Sequence, residues 1–346
     1  MRAGSPTISD IAAAAGVSPT AVHYALHGTG TLSDQTRERI VRLADELDYR
    51  PNRLARGLRT RRSATLGLIF ERLDTVFHSH LLDGAQNTAL THEHSLLVGC
   101  SQESPEREKE LMELFLEKAV DGLLLTPADS RTNAEYYDRL LSQGLPLVFM
   151  DAATVQVEAD AVATDNLLGG FLATRHLVEL GRRHLVCLVA ASELRRDATQ
   201  EQRLQGCNQA LAEAGLPPAR VLDTDAVPAG SEVQTVHAAF CEYLHQGHPV
   251  DAVFATHDSL AYAALGALGA AGLRVPQDVS LVGFDDLDLS ACLHPPLTTV
   301  RQDPRRIGAE AVNLLLRRLQ EGTSSLPAQR VLLVPTLIVR ESCGAS

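Results

Sequence analysis

Asp285 and Asp286 stand side by side after the apolar run 279–284, and ligand-grade side chains recur at the ends of other such runs. Phe77 and His78 follow the run 65–70, Thr126 follows 122–125, and Asp151 follows 146–150. Arg203 lies beyond 185–189, while His257 and Asp258 follow 252–255. Ligands of open α/β sheets sit outside the carboxyl ends of the strands. Carboxylates, an arginine and an aromatic meeting there suit a hydroxyl-rich small molecule. Each charged group makes paired hydrogen bonds to adjacent hydroxyls, and an aromatic faces a sugar ring. Plainer roles stand beside these: Phe77 as a core aromatic, Asp151 or Asp286 as a helix cap, His257 as a loop histidine satisfied by the next helix start.

Catalysis finds little support. Adjacent acids on one chain do not flank a scissile glycosidic bond. The chain has no G-x-G-x-x-G after a strand, no phosphate-binding loop of the Walker type and no G-x-S-x-G. Its six cysteines are scattered without metal-ligand spacing, which predicts reduced, mostly structural thiols, no zinc site and no cofactor.

The runs that position these residues alternate with helix-length patterns at 106–119, 167–180, 204–214 and 260–271. Continuous apolar strands between amphipathic helices predict parallel sheets covered on both faces. Seven such units exceed one doubly wound sheet, so two similar halves are expected, dividing near 160–166.

A different grammar governs the first sixty residues. Thr7 and Asp10 form a capping box ahead of a small-residue helix, 8–15. Gly16 suits a sharp turn, Ser18 caps a second helix and Pro19 fits its first position. Val22 and Leu26 form its narrow apolar stripe, while Pro19, Thr20, His23 and Tyr24 point elsewhere, with His27 at its end. Two short helices about a glycine turn make a helix-turn-helix, whose second helix enters the DNA major groove; an ordinary helical hairpin is the alternative. Ser33 caps a third helix, 34–48, with Ile40, Leu43, Ala44 and Leu47 turned to the first two. After Pro51 comes an arginine-rich stretch, 52–62. It is either a solvated linker or a short hinge helix that folds on DNA, with Leu58 as a minor-groove wedge.

Charge divides the same way. The 346-residue chain carries a net charge of −12, yet residues 1–62 hold ten arginines against six acidic residues. A basic head on an acidic body fits contact with DNA through one end only. No run approaches the length of a membrane span. The N-terminus does not read as a secretory signal, so a cytoplasmic protein is expected.

The order of motifs resembles the LacI/GalR family of bacterial transcription regulators. The matching stretches include Ile8-Ser9-Asp10-Ile11-Ala12 with Ala15-Gly16-Val17-Ser18, then Leu47-Asp48-Tyr49-Arg50-Pro51-Asn52-Arg53-Leu54-Ala55-Arg56. Further on come Val120-Asp121-Gly122-Leu123, Asp278 to Asp286 and Pro295-Pro296-Leu297-Thr298-Thr299-Val300-Arg301-Gln302-Asp303. The resemblance implies a helix-turn-helix head at 1–51, a hinge helix at 52–62 and an effector-binding, dimerising domain at 63–346. That domain is expected to be periplasmic-binding-protein-like, with three chain crossings between two doubly wound parallel-sheet subdomains. The first takes residues 63–162 and 292–322, the second 163–291 and 323–346. Function follows as a sequence-specific repressor, homodimeric on a near-palindromic operator and controlled by a sugar or sugar derivative, not an enzyme. A sugar-binding or sensing protein with weak or vestigial DNA binding is the alternative, with a sugar-modifying enzyme behind it.

By this resemblance Thr7, Ser18, Pro19, Thr20, His23, Tyr24 and His27 meet DNA, joined by Asn52, Arg53, Ala55, Arg56 and Leu58 of the hinge. Phe77, Thr126, Asp151, Arg203, His257 and Asp285 meet the effector. Departures fall where sequence is read. Ala21-Val22-His23-Tyr24 replaces the common Thr-Val-Ser-Arg, so Tyr24 stands in for an arginine able to grip guanine. Gly57 weakens the hinge helix, and His257 stands where asparagine is usual.

Overall fold

The computed structural model describes residues 6–27, 29–49, 62–73, 75–129, 131–152, 156–189, 198–222, 232–322 and 327–344, without the side chains of His27 and Glu232. The chain divides into two compact units, Met1–Ser63 and Ala64–Ser346.

The first unit packs three helices, α1 (Ile8–Ala15), α2 (Pro19–His27) and α3 (Asp34–Glu46). Its core is small: Ile11, Ala12, Ala15, Val22, Ala25, Ile40 and Ala44 are buried together. The caps fall where the side chains dictate. Thr7 N donates to Asp10 Oδ2 at 2.8 Å while Asp10 N donates back to Thr7 Oγ1 at 3.4 Å. Gly16 takes φ +65°, the left-handed turn that glycine enters without steric cost. Ser18 Oγ accepts from Ala21 N at 3.2 Å. Helix α3 ends two residues short of the expected Asp48. Asp48 adopts φ +47°, a conformation aspartate tolerates, and Leu47 caps the helix while remaining 39% exposed.

The second unit holds two six-stranded sheets. The first is built from β1 (Thr65–Phe70), β2 (Ser95–Cys100), β3 (Gly122–Leu125), β4 (Leu147–Met150), β5 (Asp160–Thr164) and β11 (Arg330–Leu333), in the order β11-β5-β4-β3-β1-β2. The second contains β6 (Leu185–Leu188), β7 (Arg220–Val221), β8 (Ala252–Ala255), β9 (Ser280–Asp285), β10 (Thr298–Arg301) and β12 (Thr336–Ile338), in the order β12-β10-β9-β8-β6-β7. All pairings are parallel except that of β12 with β10.

Helices α4 (Val76–Thr91), α5 (Pro105–Glu117), α6 (Ala134–Ser142) and α11 (Pro304–Glu321) belong with the first sheet. Helices α7 (Asn166–Glu179), α8 (Ala198–Glu213), α9 (Glu232–His245) and α10 (Asp258–Ala270) belong with the second.

The chain crosses between sheets after β5, after β10 and after β11. Two strands lie opposite to expectation. Thr298–Arg301, assigned above to the first subdomain, pairs with Val282–Asp285 of β9 in the second. Arg330–Leu333, assigned to the second, pairs with Ala161–Thr164 in the first. Pairing register decides these short strands: Thr298–Arg301 is not a continuous apolar run, and the apolar run 331–334 does not by itself name the sheet it joins.

Glycine lets the helices of each half meet backbone to backbone. A Cβ on Gly170 of α7 would lie 2.0 Å from Arg203 O, and one on Gly206 of α8 would lie 1.9 Å from Leu167 O. Below about 3 Å no side-chain adjustment suffices, because the obstacle is main chain. The same interlock sets α4 on α11 through Gly84 and Gly308. At the root of the first sheet, Arg318 of α11 grips Asp160 through Nε–Oδ2 and Nη2–Oδ1 bonds of 2.7 Å, both side chains being buried.

Candidate functional site

A cavity of about 730 Å³ opens at the carboxyl ends of both sheets. Phe77, Thr126, Asp151, Arg203, His257 and Asp285, six positions read from the sequence, all line it.

Arg203 is fixed from three sides. Its Nε donates to Asn166 Oδ1 at 2.7 Å, its Nη1 donates to Thr256 O at 2.6 Å, and its guanidinium carbon lies 3.9 Å from the Phe284 ring centroid. Gly170 presses on its backbone. Asp285 ends β9 with φ +116°, which costs a non-glycine residue conformational energy. Its Oδ1 accepts from Gln302 Nε2 at 2.7 Å. Burial raises its pKa, opposed by the nearby Arg203 and His257. Gln302 Oε1 in turn accepts from Thr164 Oγ1 at 2.6 Å. One amide therefore joins two of the crossing points, after β5 and after β10, to the acid in the cavity.

Asp258 lies buried behind this wall. Its Oδ1 accepts from Thr299 Oγ1 at 2.6 Å, and its Oδ2 accepts from Leu287 N at 2.9 Å and Ser290 Oγ at 2.5 Å. Burial and then the neighbouring Asp285 push its pKa up to about 7. Asp286 has neither of the roles considered for it. Its two oxygens accept from Arg301 Nε and Arg340 Nη2, both at 2.6 Å, so it ties β10 to the segment after β12. His257 precedes α10 without a side-chain cap bond.

On the other wall, Thr126 Oγ1 accepts from Glu71 N at 3.0 Å. Asp151 holds φ +52° beside the cavity and does not begin a helix. Phe77 is half-buried, meeting His78 edge-on at 5.5 Å. Behind it runs a chain absent from the expectation. Thr75 Oγ1 bonds His78 Nδ1 at 2.7 Å, and His78 Nε2 bonds Glu71 Oε1 at 2.8 Å. Burial alone would lower the His78 pKa, but Glu71 and then Asp151 outweigh it and hold the imidazole above its usual value. Thr75 and His78 have the i to i+3 spacing of a helix cap, which was the available signal. Glu71 carried none, being an acid after a strand. Gln200 was missed because α8 begins at Ala198, before the first apolar repeat at 204.

Beneath the loop after β3, Glu108 is fully buried and anchors the wall. It accepts from Ala128 N at 2.7 Å, from Asn133 Nδ2 at 2.8 Å and from the Tyr137 hydroxyl. Burial raises its pKa, against the pull of those donors.

In the first unit Thr7, Ser18, Pro19, Thr20 and Tyr24 are exposed, and His23 is half-buried. The Tyr24 ring lies over Gly30, whose added Cβ would sit 2.6 Å from Tyr24 Cδ2. The side chain of His27, and Asn52, Arg53, Ala55, Arg56 and Leu58 of the expected hinge, lie outside the described residues.

The sequence pattern of bacterial regulatory proteins of the lacI family matches residues 7–52, and that of a periplasmic binding protein-like domain matches 174–343. The ribose operon repressor of Haemophilus influenzae is 32% identical over 338 residues, 97% of this chain and 98% of its own. The transcriptional repressor PurR of Aliivibrio fischeri is 31% identical over 321 residues, 91% of this chain and 92% of its own. The crystal structure of the lac repressor dimer bound to operator and the anti-inducer ONPF superposes with a TM-score of 0.84 at 26% identity, covering 99% of this chain and 100% of that one.

Proposed function

The chain belongs to the lacI family of bacterial regulatory proteins and is a DNA-binding transcription regulator, and we propose that it is a cytoplasmic, homodimeric repressor answering to a sugar or sugar derivative. The observation that carries the effector reading is the convergence of Arg203, Asp285 and Asp151 with Phe77 on one cavity between two sheets. Rigid carboxylates and a rigid guanidinium around an apolar face match adjacent hydroxyls on a ring.

In this reading two heads lie about one helical turn apart on a near-palindromic operator. Thr7, Ser18, Pro19, Thr20, His23, Tyr24 and His27 meet DNA together with Asn52, Arg53, Ala55, Arg56 and Leu58. Ligand bound to both sheets closes the cleft by bending at the three crossings. The Thr164–Gln302–Asp285 chain spans two of those crossings, so a ligand on Asp285 alters bonds at the bend itself. Effector and operator affinities are then reciprocally coupled.

The test is selection of genomic fragments by the purified protein at stated salt, with and without a panel of sugars. A palindromic fragment released or tightened by one sugar supports the proposal. Enrichment indifferent to every sugar removes the effector assignment, and no enrichment under any condition favours a sensing protein with a vestigial head.

A further inference from the structure

Glu71 and Gln200 reach the cavity from different halves of the second unit, one after β1 and one on α8. Glu71 is held in place: its N donates to Thr126, and its Oε1 meets His78, which Thr75 fixes in turn. Its other oxygen, Oε2, is buried with no hydrogen-bond partner among the described residues. Gln200 is 6% exposed, and its Oε1 is likewise without one. A buried carboxylate oxygen accepts only, and leaving it unmatched is costly, so its natural complement is a donor brought by the ligand.

Two cations of its own wall are already paired with acids. Arg72 pairs with Glu103 at 3.3 Å and His78 with Glu71 at 2.8 Å, whereas Arg203, which donates Nε and Nη1 to the neutral Asn166 and Thr256, keeps its charge near Asp285 in the other half. Both His78 ring nitrogens are engaged. An anionic group entering beside Glu71 and Asp151 meets two carboxylates, while Arg72 and His78 of the same wall are already paired.

We infer that Glu71 determines specificity by offering Oε2 to a hydroxyl or ammonium of the ligand, so that the cleft takes neutral or amino sugars and rejects their phosphorylated or carboxylated forms. This rests on the proposed sugar-type effector. A like charge a few ångströms away at the effective dielectric of a protein site lowers affinity by about tenfold or more.

The test is calorimetric titration of the full-length protein with matched probes: ribose and ribose 5-phosphate; glucose, glucosamine, glucuronate and glucose 6-phosphate. Glu71→Gln serves as the variant, with thermal unfolding checking its fold. The expected result is a neutral or amino probe binding about tenfold or more tighter than its anionic partner, with that ratio falling to about threefold or less in Glu71→Gln. The wild-type comparison stands even if the variant does not fold. An anionic probe binding as well as or better than its neutral partner, or a ratio unmoved by Glu71→Gln, overturns the assignment while leaving the sugar effector intact. Failure of every probe in both forms removes the sugar reading and this inference with it.

Discussion

Arg203 lies over the Phe284 ring with 3.9 Å between guanidinium carbon and ring centroid, while two of its nitrogens donate to Asn166 and Thr256. A planar fork can stack and donate in two fixed directions at once, which an ammonium cannot. Arg203→Lys is therefore expected to weaken binding of the proposed effector by about tenfold or more, roughly 1.4 kcal/mol per decade. Calorimetric titration checks this, and wild-type affinity in the variant would refute the role assigned to the fork.

The position of Arg203 also depends on Gly170. Gly170→Ala puts a methyl 2.0 Å from Arg203 O, forcing α7 and α8 apart, and is expected to cost about 1–3 kcal/mol of stability. Gly269, near the end of α10, meets nothing within 4 Å; Gly269→Ala is expected to stabilise by about 0.5–1 kcal/mol. Denaturant unfolding of both variants checks the contrast. Shifts of the same sign would refute it.

Much of this architecture is legible before any coordinates. Continuous apolar runs such as 252–255 mark buried parallel strands, and their carboxyl ends mark the cavity wall, which is why six expected residues meet there. Strand β10, and the sheet that the apolar β11 joins, are illegible for a physical reason: only register with β5 assigns β11 to the first sheet. Thr298-Thr299-Val300-Arg301 has no apolar continuity, and its sheet is set by register with β9 across a crossing. Asp286 is misread because adjacency suggests shared purpose, whereas the left-handed backbone at both acids lets them serve different partners: Asp285 meets Gln302, and Asp286 meets Arg301 and Arg340. Glu71 needs the fold to bring His78 to it.

Asp160 and Arg318 bind in two parallel bonds at the root of the first sheet, and Asp160 Oδ1 also accepts from Gln329 N at 2.8 Å. Asp160→Ala leaves a buried guanidinium without its anion, a loss of about 3–5 kcal/mol. Chemical denaturation is expected to show it as an earlier midpoint. A shift below about 1 kcal/mol would mean the pair is screened as a surface pair is.

Asp258 sets a pH dependence. Its carboxyl has an ordinary pKa of 3.8, raised in the folded protein to about 7 by burial and by Asp285. Between those values the folded state holds a proton that the unfolded chain releases. Stability therefore falls as pH rises through this window and levels off above about 7. His78, also raised, adds a fall in the same direction as pH passes its folded value. Melting temperatures from pH 4 to 8 are expected to decline more steeply in the wild type than in Asp258→Asn. Parallel profiles would refute the assignment.

Tyr24 offers a test in the head. Gly30 takes φ +71°, and an added Cβ would sit 2.6 Å from Tyr24 Cδ2 and 2.7 Å from Cγ. Gly30→Ala must therefore move the ring that stands where the family commonly places arginine. If Tyr24 reads DNA, its displacement lowers affinity for the selected operator by about tenfold, the scale of one good base contact. The strained turn alone can also weaken the head, so the informative comparison is a double-mutant cycle. In a Tyr24→Ala background the clash is gone, and Gly30→Ala is expected to cause little further loss. Equal losses in both backgrounds would place the effect in the turn and remove Tyr24 from the reading surface.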